Sequence, residues 1–95
     1  MSDETNKARG DLRRADEANA LLANPLYIEA VTVMRAAMFE EFESTKLSDI
    51  EARHELWQRM QLMKQFQGRF ESIVKTGKRA SQTLTMLEKA PDTLR

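Results

Sequence analysis

The chain has 95 residues, 41% hydrophobic and 32% charged, with a formal net charge of zero. That length allows one domain at most, and a core so small that a partner subunit commonly completes it. The neutral total argues against a protein whose main affinity is for polyanions, and the absence of cysteine excludes disulfides, thiolate zinc sites and a cysteine nucleophile.

Strong helix formers fill most of the chain, only three glycines and two prolines interrupt it, and no segment alternates with period two. The expected fold is all-α: a single helical domain over residues 1–95, with three helices, the last one long, and loose ends at 1–5 and 90–95. The opening "MSDETNKARGDLRR" is polar and lacks the apolar centre of a signal peptide. No window approaches the ~20 apolar residues of a spanning helix, so no membrane partner is expected and the simplest location is intracellular.

The first helix is expected from about Glu4 to Ala23. Ala8, Leu12, Ala15, Ala18 and Leu22 recur at steps of three and four and make a narrow stripe of mostly small residues. Small side chains let a neighbour come close but bury little area.

The second helix is expected over 25–44. Asn24 suits an N-cap, whose side-chain oxygen accepts a backbone N–H. Pro25 at the first helical position sacrifices no intrahelical bond and turns Asn24 away from the α region. Tyr27, Val31, Met34, Met38 and Phe42 form one stripe; Leu26, Ala30, Val33 and Ala37 form a second beside it; Ile28 and Phe39 lie off both. A helix apolar on so many sides needs neighbours on several sides. Tyr27 and Val31 are expected to face the third helix, and Leu26, Ile28 or both to face the first helix or a second subunit.

The third helix is announced by Ser48 and Glu51, which match the S-x-x-E capping box, with Asp49 near the positive helix end. Leu56, Met60, Met63, Gln67, Phe70, Val74, Gly77, Ser81 and Leu84 alternate steps of four and three, and Arg59, Phe66, Ile73, Ala80 and Leu87 flank them at steps of seven. This is a heptad-like seam weakened by Gln67, Gly77 and Ser81. The helix either runs on as one rod of about 60 Å or ends near Gly77, where glycine suits a C-cap. The second helix spans only about 30 Å and leaves the C-terminal half of that seam without cover. The expected remedy is another chain: a homo-oligomer, most simply a dimer, with Leu26, Tyr27, Ile28, Val31, Met34, Met38, Trp57, Met60, Met63, Phe66, Phe70, Val74 and Leu84 as candidate interface residues. An exposed Met-rich groove for a different protein fits the same pattern.

Catalytic chemistry finds little support. Glu51 and His54 make an E-x-x-H motif of the kind di-iron bundles use in pairs, but His54 is the one histidine and Glu51 is already assigned to the cap. Glu40, Glu41 and Glu43 read as a solvated acidic end rather than an acid–base pair. Trp57, Phe66 and Phe70 fit packing better than base stacking. No phosphate loop or Ser/His/Asp set is present. No enzyme activity, catalytic residue, metal or other cofactor is expected. Charge is nevertheless uneven. Residues 29–55 hold seven acidic groups against three basic, and residues 59–79 hold six basic groups against Glu71. Lys64, Lys75 and Arg79 project opposite the seam, with Gln61 and Ser72 between them. They are candidate phosphate contacts, although a solvated face explains them more simply. Acidic and basic zones of this kind also attract across an antiparallel interface.

Asn24-Pro25-Leu26, Glu29-Ala30, Asp49, Arg53, Leu56-Trp57 and Thr76-Gly77-Lys78 resemble a type of small helical protein encoded among the structural genes of tailed bacteriophages and prophages. The resemblance covers residues 21–80 and includes no catalytic motif. It implies a component of head assembly or DNA packaging, in the cytoplasm of a bacterial host or associated with the virion, with a larger phage structural protein as a further partner. The expected function is therefore a non-enzymatic self-assembly and protein-interaction module. The alternative is a nucleic-acid-binding packaging accessory that uses the basic face of the long helix.

Overall fold

A computed structural model describes residues 3–89. The expected loose ends fall largely outside them: residues 1, 2 and 90–95 are not described, and residues 3–5 begin the first helix. Three helices follow in order, α1 (Asp3–Leu22), α2 (Pro25–Ser44) and α3 (Ile50–Lys89). The fold is all-α, with three helices and a long C-terminal one.

The cap at Asn24 forms as the sequence indicates. Asn24 is extended, and its Oδ1 accepts from Leu26 N at 2.9 Å and Tyr27 N at 3.3 Å. The start of α3 differs from expectation. Lys46 and Asp49 close a turn through Asp49 N donating to Lys46 O at 2.9 Å, and the helix begins one residue later, at Ile50. Asp49, not Ser48, is the cap: its Oδ1 accepts from Ala52 N at 3.2 Å. Aspartate caps as well as serine does, so the turn decides between them. The helix then runs without a break through Gly77. No glycine among the described residues has positive φ, so no C-cap forms there.

The chain divides into two compact units, residues 1–21 with 69–95 and residues 22–68. In the first unit α1 lies on the C-terminal part of α3, and Ala8, Ala15, Ala18 and Ala80 are buried along with Gly77. The expectation that this half of the seam lacks cover within the chain is therefore corrected. The alanine stripe of α1 covers it, and Phe70, Ile73, Val74, Leu84 and Leu87 are all at least partly buried. Gly77 is what permits the approach. A methyl group built on it would overlap Ala15 Cβ and come within 3.5 Å of Asp11 O, whereas Gly10 and Gly68 face open space. The seam's weak residue is a point of close approach to α1.

In the second unit α2 and the N-terminal part of α3 form an antiparallel hairpin: Thr45 meets Arg53, Glu41 meets Arg59 and Arg35 meets Gln67. Leu56, 3% exposed, is the one buried hydrophobic residue of this unit among the described residues. Tyr27, Val31, Met38 and Phe42 of α2 and Met60, Met63 and Gln67 of α3 are half-buried. The guanidinium of Arg53 lies 4.1 Å from the centre of the Phe42 ring and donates to Thr45 Oγ1 at 3.0 Å. It closes the connection end of the hairpin by cation–π attraction and a hydrogen bond.

Candidate interaction surface

α2 buries none of its 20 residues. Its stripe toward α3 reaches only the half-buried state, and the rest of its apolar surface is open. Leu26 is 73% exposed and Val33 61% exposed, with Ile28, Met34 and Phe39 also exposed. On α3, Leu62 is 64% exposed, and Ile50, Trp57 and Phe66 are exposed as well. Covering one such side chain stabilises by roughly 1.5–3 kcal/mol when burial is complete, so surface of this kind is a strong drive to association.

The register sorts these residues into two flanks. From Glu41, which meets Arg59, steps of four and three back along α2 reach Ala37, Met34, Ala30 and Leu26, with Val33 alongside. From Arg59, steps of three and four along α3 reach Leu62 and Phe66. Side chains so spaced share a helix face, and here both rows lie on one flank of the hairpin. The opposite flank follows from Arg35 and Gln67. It carries Ile28 and Phe39 on α2, and Ile50, Trp57 and Lys64 on α3. Glu41 and Arg59 stand 3.8 Å apart with side chains more than half exposed, so the pair contributes little to the single chain.

The candidate interface residues thus fall into two groups. Leu26, Ile28, Met34, Trp57 and Phe66 are exposed; Tyr27, Val31, Met38, Met60, Met63, Phe70, Val74 and Leu84 are half-buried within the chain. Met38, Met60 and Met63 line an open recess of about 270 Å³ with Arg35, Gln61 and Lys64. A more polar recess of about 470 Å³ lies at the connection end, lined by Glu41, Ser44, Thr45, Lys46, Asp49, Ala52, Glu55, Leu56 and Arg59. Among the described residues no group of three His, Cys, Asp or Glu side chains is placed to hold a metal ion. Glu51 and His54 are exposed, and the His54 ring stacks on Trp57 with centroids 6.0 Å apart. Glu40, Glu41 and Glu43 are exposed at the end of α2, and Lys64, Lys75 and Arg79 are exposed along α3. No helix is long and apolar enough to cross a membrane among the described residues.

Sequence reasoning missed two contacts of the hairpin. Gln67 breaks the apolar seam because its amide oxygen accepts from the Arg35 guanidinium of α2. Arg53 occupies an inward position because Phe42 offers it a ring face. A polar residue in an apolar row, facing a basic or aromatic residue on the neighbouring helix, was the available signal. Comparison with protein families, curated proteins and solved structures returns no match.

Proposed function

We propose that this chain is a non-enzymatic helical module for self-assembly and protein interaction, most simply a homodimer, built on the α2–α3 hairpin. The observation that carries the reading is α2: a 20-residue helix, predominantly apolar from Leu26 to Phe39, with no buried residue in the single chain. Among the described residues four of the five buried hydrophobic residues are alanines, so this core removes little apolar area from water. The resemblance over residues 21–80 extends the proposal to a setting, head assembly or packaging in a tailed phage or prophage, where a larger structural protein is a second partner.

Association of folded chains raises the unfolding temperature by mass action. Thermal unfolding followed across a hundredfold range of protein concentration tests the proposal. A midpoint that climbs with concentration supports it; a midpoint independent of concentration contradicts it. The second reading, a nucleic-acid-binding accessory, draws on the exposure of Lys64, Lys75 and Arg79 along one helix. It requires salt-sensitive DNA retardation that weakens when all three become alanine, and it fails if no retardation occurs at low salt.

A further inference from the structure

We infer that the flank of the hairpin bearing Arg35, Phe39, Trp57 and Gly68 is covered by the same flank of a second copy. The two-fold axis crosses the helices at the level of Phe39. It lays α2 antiparallel on the partner's α2, and α3 antiparallel on the partner's α3. The inference rests on the self-association proposed above and gives it a face and a symmetry.

This flank is open on α3. A Cβ atom at Gly77 meets Ala15 of α1, whereas one at Gly68 meets nothing within 4 Å. The two glycines are nine residues apart in the sequence, which is about half a turn round the helix. Gly68 therefore belongs to the face of α3 opposite the one that meets α1. Trp57 and Gly68 are eleven residues apart, close to three whole turns, and share that open face. The Trp57 and Phe39 side chains are both more than half exposed.

Two rows complement themselves when reversed. On α2, Arg35, Phe39 and Glu43 follow at steps of four along one face. Turned end for end about Phe39, the row sets Phe39 on the partner's Phe39 and Arg35 on the partner's Glu43. Among the described residues neither Arg35 nor Glu43 has an ion pair in the single chain, and Arg35 donates to the uncharged Gln67. On α3, reversal about the midpoint of Trp57 and Gly68 lays each indole over the partner's glycine, so a large side chain meets a vacant position. That midpoint falls between residues 62 and 63. The two reversals share one axis. Glu41 is level with Arg59 and Arg35 with Gln67. Phe39, a third of the way from Glu41 to Arg35, is therefore level with about residue 62 of α3. Neither pairing repeats a contact made within the chain. Lys64 is the opposing feature: it stands within about two residues of the axis on this face, so the two copies bring like charges near each other.

Charge exchange at positions 35 and 43 tests the face and the symmetry. Each of the single variants R35E and E43R sets like charges at both cross-subunit contacts and weakens self-association at least about tenfold. Mixed one to one they restore opposite charges at both contacts: Glu at position 35 of one chain meets Arg at position 43 of the other, and Glu43 of the first meets Arg35 of the second. Sedimentation is expected to show the mixture as a dimer at concentrations where either variant alone is a monomer. Gly68→Leu separates the interface from the fold. In the single chain its side chain enters open space and suits a helix better than glycine, but any side chain much larger than a methyl group fills the place of the partner's Trp57 and breaks the dimer. Lys64→Gln removes the repulsion near the axis and tightens association. Circular dichroism checks that the helices persist. Single charge variants or a Gly68→Leu chain that dimerise as the parent does overturn this face while leaving self-association intact. A mixture that stays monomeric, or a Lys64→Gln chain that associates more weakly than the parent, overturns it as well. A monomeric parent chain overturns the proposal beneath it.

Discussion

Gly77→Ala adds one methyl group where α3 comes close to Ala15 of α1. Two opposing effects set its outcome. Alanine is better than glycine in a helix interior by about 1 kcal/mol. The added methyl collides with Ala15 Cβ, which sits directly on the α1 backbone and cannot rotate away, and forced overpacking of this kind costs about 1–3 kcal/mol. The net expectation is a loss of up to about 2 kcal/mol. Gly68→Ala and Gly10→Ala meet nothing within 4 Å, so they show the propensity gain alone, about 0.5–1 kcal/mol. At about 4–8 °C per kcal/mol for a domain of this size, thermal unfolding separates the two signs. Ala15→Gly removes the colliding methyl, so the double variant A15G/G77A is more stable than the sum of its singles by about 1–3 kcal/mol. Gly77→Ala stabilising as much as Gly68→Ala, together with additive singles, would refute the packing of α1 on α3 described here.

Capping and the hairpin latch give further expectations. Asn24→Ala and Asp49→Ala each cost about 1 kcal/mol in urea or thermal unfolding, and Ser48→Ala costs far less; equal losses at 48 and 49 would restore Ser48 as the cap. Arg53→Ala removes the cation–π contact with Phe42 and the bond to Thr45 and costs about 1–2 kcal/mol. Phe42→Leu, which keeps the apolar bulk, removes the cation–π share of the dependence on Arg53 in a double-mutant cycle and leaves the share from Thr45.

Helix number, the Asn24-Pro25 start of α2 and the inward row from Leu56 to Val74 were legible because each depends on residues within a few turns of one another. The pairing of helices was less legible. Periodicity shows that α1 has a stripe and α3 a seam, but a stripe of Ala8, Ala15 and Ala18 gives a faint apolar signal although it allows a close approach to Gly77. Gly77 looked like a weak point or a helix end, and only a neighbour's position reveals it as a contact. Gln67 likewise gains its meaning from Arg35, thirty-two residues away. The choice between Ser48 and Asp49 depended on a turn at Lys46 that local pattern does not mark. For the interaction surface, the excess of apolar residues on α2 was plain in sequence. Their division into two flanks needed the register of Glu41 against Arg59.

The mass of the chain in solution tests the central claim, that the apolar face α2 leaves open is covered by a second copy. Sedimentation equilibrium at tens of micromolar is expected to give twice the 11.0 kDa of one chain, falling toward one chain on dilution. A mass of 11.0 kDa at every concentration, with the helices intact by circular dichroism, would contradict it.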